Sequence, residues 1–432
     1  MFDGDISALA PVKQAATSSR RQRWMFLALI ASVIFATIFE NYVVSPVPFL
    51  RTPFAILGVL LAGIYITAHA KTLRLRTGPD SRLLVLLAVF ALITLVNVAI
   101  NPQYDEQRAF YYFMAFSQPG ILFLVLSDLI VRLRAVFLVW FVFFLMTLMM
   151  AVLTVAAPDL TTSAGDRSGF GDINYNRLAF AYALSLLSLF WILLHHPRTI
   201  FRHFGLMAVV IGGGAVITWC FFAAGSRGAF LAFSASLLLL MALELRKKTL
   251  PAYIALFIPA ICLFISALVV NGVILERLYQ AIVGSNTGMR DDLLIHAADL
   301  ASQKPWLGHS YQYFENLGRL TGLNRPIDVH NGIFQIILQF GYPALIVWFW
   351  FLFAVGWRLW SHRGNPVARL FLVLFSFNVA FMFIGSLASN TYFWIFLACA
   401  VNAHSVRSMP LESFGANAKR LKEKTNFKES TR

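Results

Sequence analysis

The chain has 432 residues, of which 59% are hydrophobic and 13% are charged, and its formal net charge is +15. Soluble domains carry about a quarter charged residues, so this composition excludes an ordinary soluble protein and indicates an integral membrane protein. The three cysteines lie in apolar stretches without disulfide or zinc spacing, which argues against a cysteine-based metal site.

Apolar stretches of membrane-spanning length recur along the chain. A spanning helix needs about 20 mostly apolar residues. We predict an all-α polytopic fold with about twelve such helices, at 24–39, 53–69, 83–100, 109–127, 135–156, 177–194, 204–224, 228–243, 250–270, 332–357, 366–384 and 388–402. The predicted regions are a cytoplasmic tail (1–23), helices 1–9 (24–270), a polar loop (271–331), helices 10–12 (332–402) and a basic tail (403–432).

The positions of lysine and arginine predict the orientation. With the N-terminus in the cytoplasm, the inward segments hold 25 of the 35 Lys and Arg residues. Cytoplasmic loops carry the excess of positive charge, so we predict an N-in/C-in protein with its polar loop 271–331 in the periplasm. The basic tail is assigned to contact with anionic membrane lipids rather than with nucleic acid.

The apolar stretch 204–243 is too long to be one membrane helix. A helix of that length would extend about 60 Å, twice the hydrocarbon thickness. We predict a break at residues 225–228, because Gly225 permits a turn. Arg227, the one charge in the stretch, needs water or an anion.

The polar loop is predicted to contain two short helices. Leu293, Leu294, Ala297 and Leu300 share one face of a helix over 290–301, which ends at Lys304-Pro305. Residues 306–308 are predicted to turn against the membrane surface, and 311–318 to form a second helix. Asp328 or Asn331 is expected to cap the next span, which places His330 at its outer mouth.

Four outward features carry the candidate chemistry: Arg167, Arg227, Arg290 and His330. Arginine stays charged and binds phosphate with two parallel hydrogen bonds, which suits a lipid-linked diphosphate at the headgroup level. Histidine has a suitable pKa for a base that activates a sugar hydroxyl. We expect Asn331, together with Ser226 and Asn176, to support these groups.

Each of these residues also has a purely structural interpretation. Taken alone, Arg227 is explained by a side chain whose charged end reaches the membrane interface. Arg167 is explained by a position in a solvated loop. Arg290 suits a local ion pair, and His330 a helix cap. The outer carboxylates show no metal-ligand spacing, and neither a P-loop nor a G-x-S-x-G motif occurs. We therefore predict no cofactor and no metal.

These motifs together resemble the O-antigen ligase/polymerase superfamily of bacterial inner-membrane proteins. The resemblance rests on Gly225–Gly228, on Met289-Arg290 leading to Pro305–Gly308, and on His330-Asn331 followed by nine residues and Gly341. Arg167 with Asn174-Tyr175-Asn176 is similar to an earlier element of the family. Together the motifs cover about 165–345 of the chain.

The resemblance implies a metal-independent glycosyltransferase with a mostly helical, twelve-span fold. Such enzymes take a glycan from undecaprenyl diphosphate at the periplasmic face. Ligases pass it to lipid A–core, and polymerases pass it to a second lipid-linked glycan. By position, His330 resembles the proposed base, and Arg227, Arg167 and Arg290 resemble the diphosphate binders.

Three functions remain open from the sequence. We expect an O-antigen ligase of lipopolysaccharide biosynthesis, and a polymerase of O-antigen or exopolysaccharide shares the same motifs. A transporter of a lipid-linked solute would also have arginines at the membrane. It would, however, require more polar residues near the midplane than these spans hold.

Overall fold

A computed structural model of the chain describes residues 80–100, 120, 123–128, 130, 136–156, 161–164, 167–170, 175–244, 265, 279, 290–322, 329–385 and 391–405. Predicted spans 24–39 and 53–69 lie outside these residues, as does nearly all of 250–270. Both predicted tails also lie outside them, apart from residues 403–405.

Helices form most of the described structure. In chain order they are α1 (Asp80–Ile100), α2 (Val136–Ala156), α3 (Tyr175–His195), α4 (Pro197–Arg202), α5 (Phe204–Met207), α6 (Gly213–Ala223), α7 (Arg227–Glu244), α8 (Arg290–Gln303), α9 (Tyr313–Leu320), α10 (Gly332–Ser361), α11 (Pro366–Met382) and α12 (Thr391–Asn402). A π-helical turn at Ala208–Gly212 joins α5 to α6, and 3₁₀ turns occur at Ser310–Gln312 and Ala403–Ser405.

Several of these helices have the character of membrane spans. By length and composition, four described helices can cross a membrane: Val139–Ala156, Asn176–His195, Arg227–Glu244 and Gly332–Ser361. Shorter apolar helices cover Val85–Asn97, Ala208–Ala223, Pro366–Met382 and Tyr392–Asn402. All of them coincide with predicted spans, which confirms a mostly helical fold with several candidate membrane spans. The total of twelve spans, the regional boundaries and the N-in/C-in orientation stay predictions.

The described residues also include a short β-hairpin, which the all-α prediction did not contain. Strand β1 (Thr161–Ala164) pairs antiparallel with β2 (Arg167–Phe170), with Thr161 opposite Phe170 and Ala164 opposite Arg167. Strand β2 packs against α2, α3 and α6.

The predicted break at residues 225–228 is confirmed. Helix α6 ends at Ala223 and α7 begins at Arg227. Gly225 between them has a φ of 60°, the left-handed conformation that glycine adopts readily.

Helix α10 contains a second break, which the sequence did not predict. Gly341 has φ 81° and ψ 178°, so Gly332–Phe340, here called the stub, meets Tyr342–Ser361 at a bend. A straight helix of 30 residues would extend about 45 Å, whereas the 17 residues of α11 extend about 25 Å. The bend lets Asn331, just before α10, reach Phe383, just after α11.

The bundle has two distinct ends. The start of α10 and the end of α11 meet at one of them, here called the His330 end. At the other, the Glu244 end, Nε of Arg369 donates to Oε1 of Glu244 at 2.8 Å. Nε2 of His195 lies 3.4 Å from Oε2 of the same carboxylate. Helices α3, α7 and α11 are therefore tied together at the Glu244 end.

A layer of short helices covers part of the His330 end. We call α8, residues 304–312, α9 and the stub the cap. Its apolar core is separate from that of the bundle and contains Leu293, Ala297, Leu300, Ala301, Tyr313, Leu317, Val329, Ile337 and Leu338. Both short helices predicted in the polar loop are therefore confirmed; α8 packs against α10, and α9 packs against α8.

Candidate active site

The turn before α7 places Arg227 at the start of that helix. Ser226 precedes it as an N-cap: its Oγ accepts a hydrogen bond from the Ala229 backbone N–H at 3.4 Å. The same hydroxyl donates to Oδ1 of Asn176 at 2.8 Å. Because Asn176 lies in the first turn of α3, one hydroxyl joins the starts of two helices. The Arg227 side chain is half-buried at this junction.

Gly228 allows α7 to approach the turn that follows α11. A Cβ at residue 228 would overlap Cγ2 of Ile384 and lie 2.7 Å from its Cδ1. Side-chain atoms of real residues do not pack this closely, so glycine is required at the observed spacing. The segment that carries Arg227 therefore packs closely against Ile384.

Asn331 joins the start of α10 to the same turn. Its Oδ1 accepts hydrogen bonds from the backbone N–H groups of Ile333 at 3.0 Å and Phe334 at 3.2 Å. Its Nδ2 donates to the Phe383 carbonyl at 3.2 Å. The predicted cap is thus confirmed for Asn331, whereas the alternative, Asp328, lies outside the described residues.

Gly332 brings the His330 segment into contact with the turn as well. A Cβ at residue 332 would lie 2.8 Å from Cγ of Met382 and 2.9 Å from the carbonyl oxygen of Gly385. The turn Phe383–Gly385 is therefore contacted by the segment of Arg227 and by the segment of His330. The segments that carry these two predicted site residues therefore contact the same turn.

His330 has an uncommon backbone conformation. Its φ is 50°, in the left-handed region, and its side chain is half-buried. Histidine is among the residue types enriched in this region. Such a conformation costs on the order of 1–3 kcal/mol and often occurs at functional sites. The conformation fixes how the chain enters α10 at the site.

Arg167 and Arg290 are placed by their backbones. Arg167 begins β2, which packs on α6, the helix before the Ser226 turn, and on α3, the helix that contains Asn176. Arg290 begins α8, which packs on α10. Their side-chain positions lie outside what the structure describes, so their convergence with Arg227 and His330 stays a prediction.

The break in α10 is filled by the chain segment after α8. In a continuous helix the N–H of Tyr342 would donate to the carbonyl of Leu338. Instead, Tyr342 N–H donates to the Pro305 carbonyl at 2.8 Å, and Leu338 accepts from the His309 N–H at 2.6 Å. The inserted segment thus satisfies both groups that the break leaves free.

Close backbone packing explains the motif Pro305–Gly308 and its relation to Gly341. A Cβ at residue 341 would overlap the Trp306 carbonyl and lie 2.8 Å from that of Pro305. The side-chain amide of Asn97 in α1 also donates to the carbonyl of Leu307. The predicted turn therefore packs on protein backbone. The Trp306 side chain remains 72% exposed, so it is free to contact lipid.

Some residues of this arrangement were not assigned to the site from the sequence. His309 and Asn97 were given no part in it, and the turn Phe383–Gly385 was treated as the end of a span. Glycines at the starts of two helices, Gly228 and Gly332, were the available sequence signal that these helices pack closely against another segment. Their common partner could not be identified from spacing alone.

Two comparisons with known proteins each match part of this chain. A sequence model of the O-antigen ligase family matches residues 214–349, a range that contains the 226 turn, α8 and the break in α10. The chain is also 25% identical, over 217 residues, to an O-antigen ligase of Pseudomonas aeruginosa. Over the residues that these comparisons cover, the chain is similar to the O-antigen ligase family.

The two comparisons differ in the part of the chain that they cover. The match to the Pseudomonas aeruginosa ligase spans 49% of this chain and 49% of that protein, so the chain aligns with about half the length of its relative. The ligase family range includes Ser226, Arg227 and Arg290 as well as His330 and Asn331. Arg167 and Asn176 precede it.

Proposed function

We propose that the protein is an O-antigen ligase of the bacterial inner membrane, working at the periplasmic face. It transfers a glycan from undecaprenyl diphosphate to lipid A–core. The observation that carries this proposal is the shared turn Phe383–Gly385, because it holds the segments of Arg227 and His330 together. The family match over residues 214–349 supports the same assignment.

The arginines bind the donor in this proposal. Arg227, assisted by Arg167 and Arg290, contacts the diphosphate with planar guanidinium groups that match two phosphate oxygens. Fixed positive charge also stabilises the negative charge that develops on the departing diphosphate. The bond between Ser226 and Asn176 holds the Arg227 turn in place during this change.

His330 acts as the base. It accepts the proton of an acceptor sugar hydroxyl while that oxygen forms a bond to the anomeric carbon of the donor glycan. The bond from this carbon to the diphosphate oxygen breaks, and undecaprenyl diphosphate leaves with the electron pair. The glycosyl–diphosphate bond supplies the driving force, so the proposed reaction needs neither nucleotide nor metal.

The direct test uses purified protein in detergent with a lipid-linked glycan and lipid A–core. We expect glycan-bearing lipid A–core to form in the presence of a metal chelator and without added nucleotide. A His330→Ala protein purified in parallel serves as the control for contaminating activity. Absence of product with folded parent protein, or product formation only with added metal, would contradict the proposal.

The same assay separates the ligase from the other two functions. A polymerase would lengthen the lipid-linked glycan when lipid A–core is omitted, and a ligase would not. A transporter would give no new glycosidic bond under any of these conditions. In cells, loss of a ligase should leave core-only lipopolysaccharide and accumulated lipid-linked glycan.

A further inference from the structure

We propose that His309 is a positioning residue for the transfer reaction. It fixes α8, which begins with Arg290, against the stub that follows His330. This inference rests on the proposed function, and it adds a residue that does not itself contact the substrate.

His309 connects the two helices through two different donors. Its imidazole Nε2 lies 2.7 Å from the carbonyl oxygen of Leu300 in α8. A carbonyl can only accept, so Nε2 carries the proton and donates. Its backbone N–H donates to the Leu338 carbonyl in the stub at 2.6 Å. The side chain is 4% exposed, so water does not compete for these bonds.

Both acceptors belong to helix positions that lack full internal hydrogen bonding. Leu300 lies in the last four residues of α8, whose carbonyls have no partner within the helix. Leu338 loses its usual partner at the Gly341 break. A histidine between them satisfies one carbonyl with its side chain and the other with its backbone.

The backbone of His309 cannot slide along this contact. Gly308 before it has a φ of 66°, and a Cβ there would lie 2.6 Å from the Gln339 carbonyl carbon. Ser310 after it has a φ of 53°. Left-handed residues on both sides therefore fix the direction from which the imidazole reaches α8.

The directional bond does what the surrounding apolar contacts do not. Leu293, Ala297 and Ile337 hold α8 near the stub, but burial of apolar area is non-directional. A hydrogen bond weakens steeply away from its preferred angle. The bond from His309 to Leu300 therefore sets the rotation and register of α8, and with them the position of Arg290 relative to His330.

Two substitutions test this role. His309→Gln places an amide N–H near the position of Nε2 and retains the donor, whereas His309→Leu keeps an apolar body and removes it. Leu317→Ala is the matched control, because it opens a cavity in the same cap core and leaves the bond intact. Each variant is measured as full-length protein in lipid nanodiscs.

The first measurement is the distance distribution between spin labels at Asp292 in α8 and Tyr342 in α10, both exposed positions, in a cysteine-free background. We expect His309→Leu to broaden the distribution. The parent, His309→Gln and Leu317→Ala should keep it narrow. A narrow distribution in His309→Leu, or a broad one in His309→Gln, would overturn the proposal.

The second measurement is transfer kinetics. We expect His309→Leu to lower kcat about 10- to 100-fold, since displacement of reacting groups by about 1 Å has effects of this size. KM for the donor should change less, because other arginines still bind the diphosphate. His309→Gln should restore kcat, and unchanged kcat in His309→Leu would overturn the positioning role. If no variant or parent transfers glycan, the proposed function fails, while the label distances still test the bond.

Discussion

Ser226 donates a hydrogen bond to Asn176 at 2.8 Å, which links the first residues of α7 to the first turn of α3. The same hydroxyl accepts from the Ala229 N–H, so it also caps α7. The position of Arg227, the next residue, thus depends on a contact formed 50 positions away in sequence.

Removing the Ser226 hydroxyl should weaken the fold more than removing its partner. Ser226→Ala loses both the N-cap hydrogen bond of α7 and the bond to Asn176. We expect a loss of about 1–2 kcal/mol in the free energy of unfolding. Asn176→Ala keeps the N-cap hydrogen bond of α7. Its free energy of unfolding should fall by about 0.6 kcal/mol, which is typical of side-chain bonds between membrane helices. Unfolding in mixed detergent measures both. Equal stability of Ser226→Ala and the parent would contradict the double role.

Gly228→Ala should disturb the contact between α7 and the turn after α11. The new methyl group overlaps Ile384, and such overpacking costs about 1–3 kcal/mol. Gly212→Ala is the matched control, because its Cβ would meet nothing within 4 Å. The test compares the thermal unfolding of the two single variants with that of the double variant Gly228→Ala/Ile384→Ala. We expect the second substitution to restore part of the loss, and a lack of any recovery would count against the contact.

His330→Asn should abolish most transfer while the fold is kept. Asparagine readily adopts the left-handed conformation found at residue 330, but its amide cannot serve as a base. We expect a reduction of about 10²- to 10⁴-fold in kcat, the usual contribution of a general base. Thermal stability measured beside activity shows whether the fold is retained. Activity at the parental level would remove His330 from the mechanism.

Arg227→Lys should reduce transfer although the charge is kept. An ammonium group lacks the planar pair of donors that a diphosphate engages. Loss of one charge-assisted hydrogen bond, worth about 1.5–3 kcal/mol, predicts a decrease of about 10-fold or more in kcat/KM. Glycan transfer at several donor concentrations measures it. Full activity would indicate that Arg227 only extends its charge to the membrane interface.

The stability of the cap should depend on pH through His309. Burial lowers the pKa of its imidazole, the bond to the Leu300 carbonyl opposes this shift, and the charge of Lys304 adds to it. The unfolded chain, with a histidine pKa of about 6.5, then binds more protons than the folded chain as the pH falls below that value. The free energy of unfolding should therefore decrease on acidification.

His309→Gln provides the comparison for this pH dependence. Glutamine does not titrate, so the variant should lose less stability than the parent between neutral pH and a pH below 6. Melting temperatures in one detergent at several pH values measure the difference. Identical slopes for the two proteins would show that His309 does not contribute.

Local patterns allowed several parts of the site to be predicted from the sequence. The apolar spacing of Leu293, Ala297 and Leu300 predicted α8, and the glycine-flanked charge predicted the break before Arg227. Asn331 was a candidate cap because its residue type commonly fills that position. Each of these predictions depended on neighbours within a few residues of the chain.

Contacts made across the chain could not be predicted in the same way. The run 332–357 contains no charged residue, and glycine is common in membrane helices, so Gly341 did not signal a break. The bond from Asn331 to Phe383 joins residues 52 positions apart. His309 had no distinguishing neighbours, since its partners come from two other helices.

The break at Gly341 also changes which part of α10 can face lipid. Beyond it, Tyr342–Ser361 is 20 residues long, about 30 Å, which matches the hydrocarbon thickness of a bilayer. This part exposes Tyr342, Ile346, Trp350, Phe353 and Trp357, whereas Gln335 to Phe340 of the stub are buried. The apolar side chains of the stub thus fill the protein interior, and a hydropathy profile that merges both parts assigns too much of this helix to the membrane.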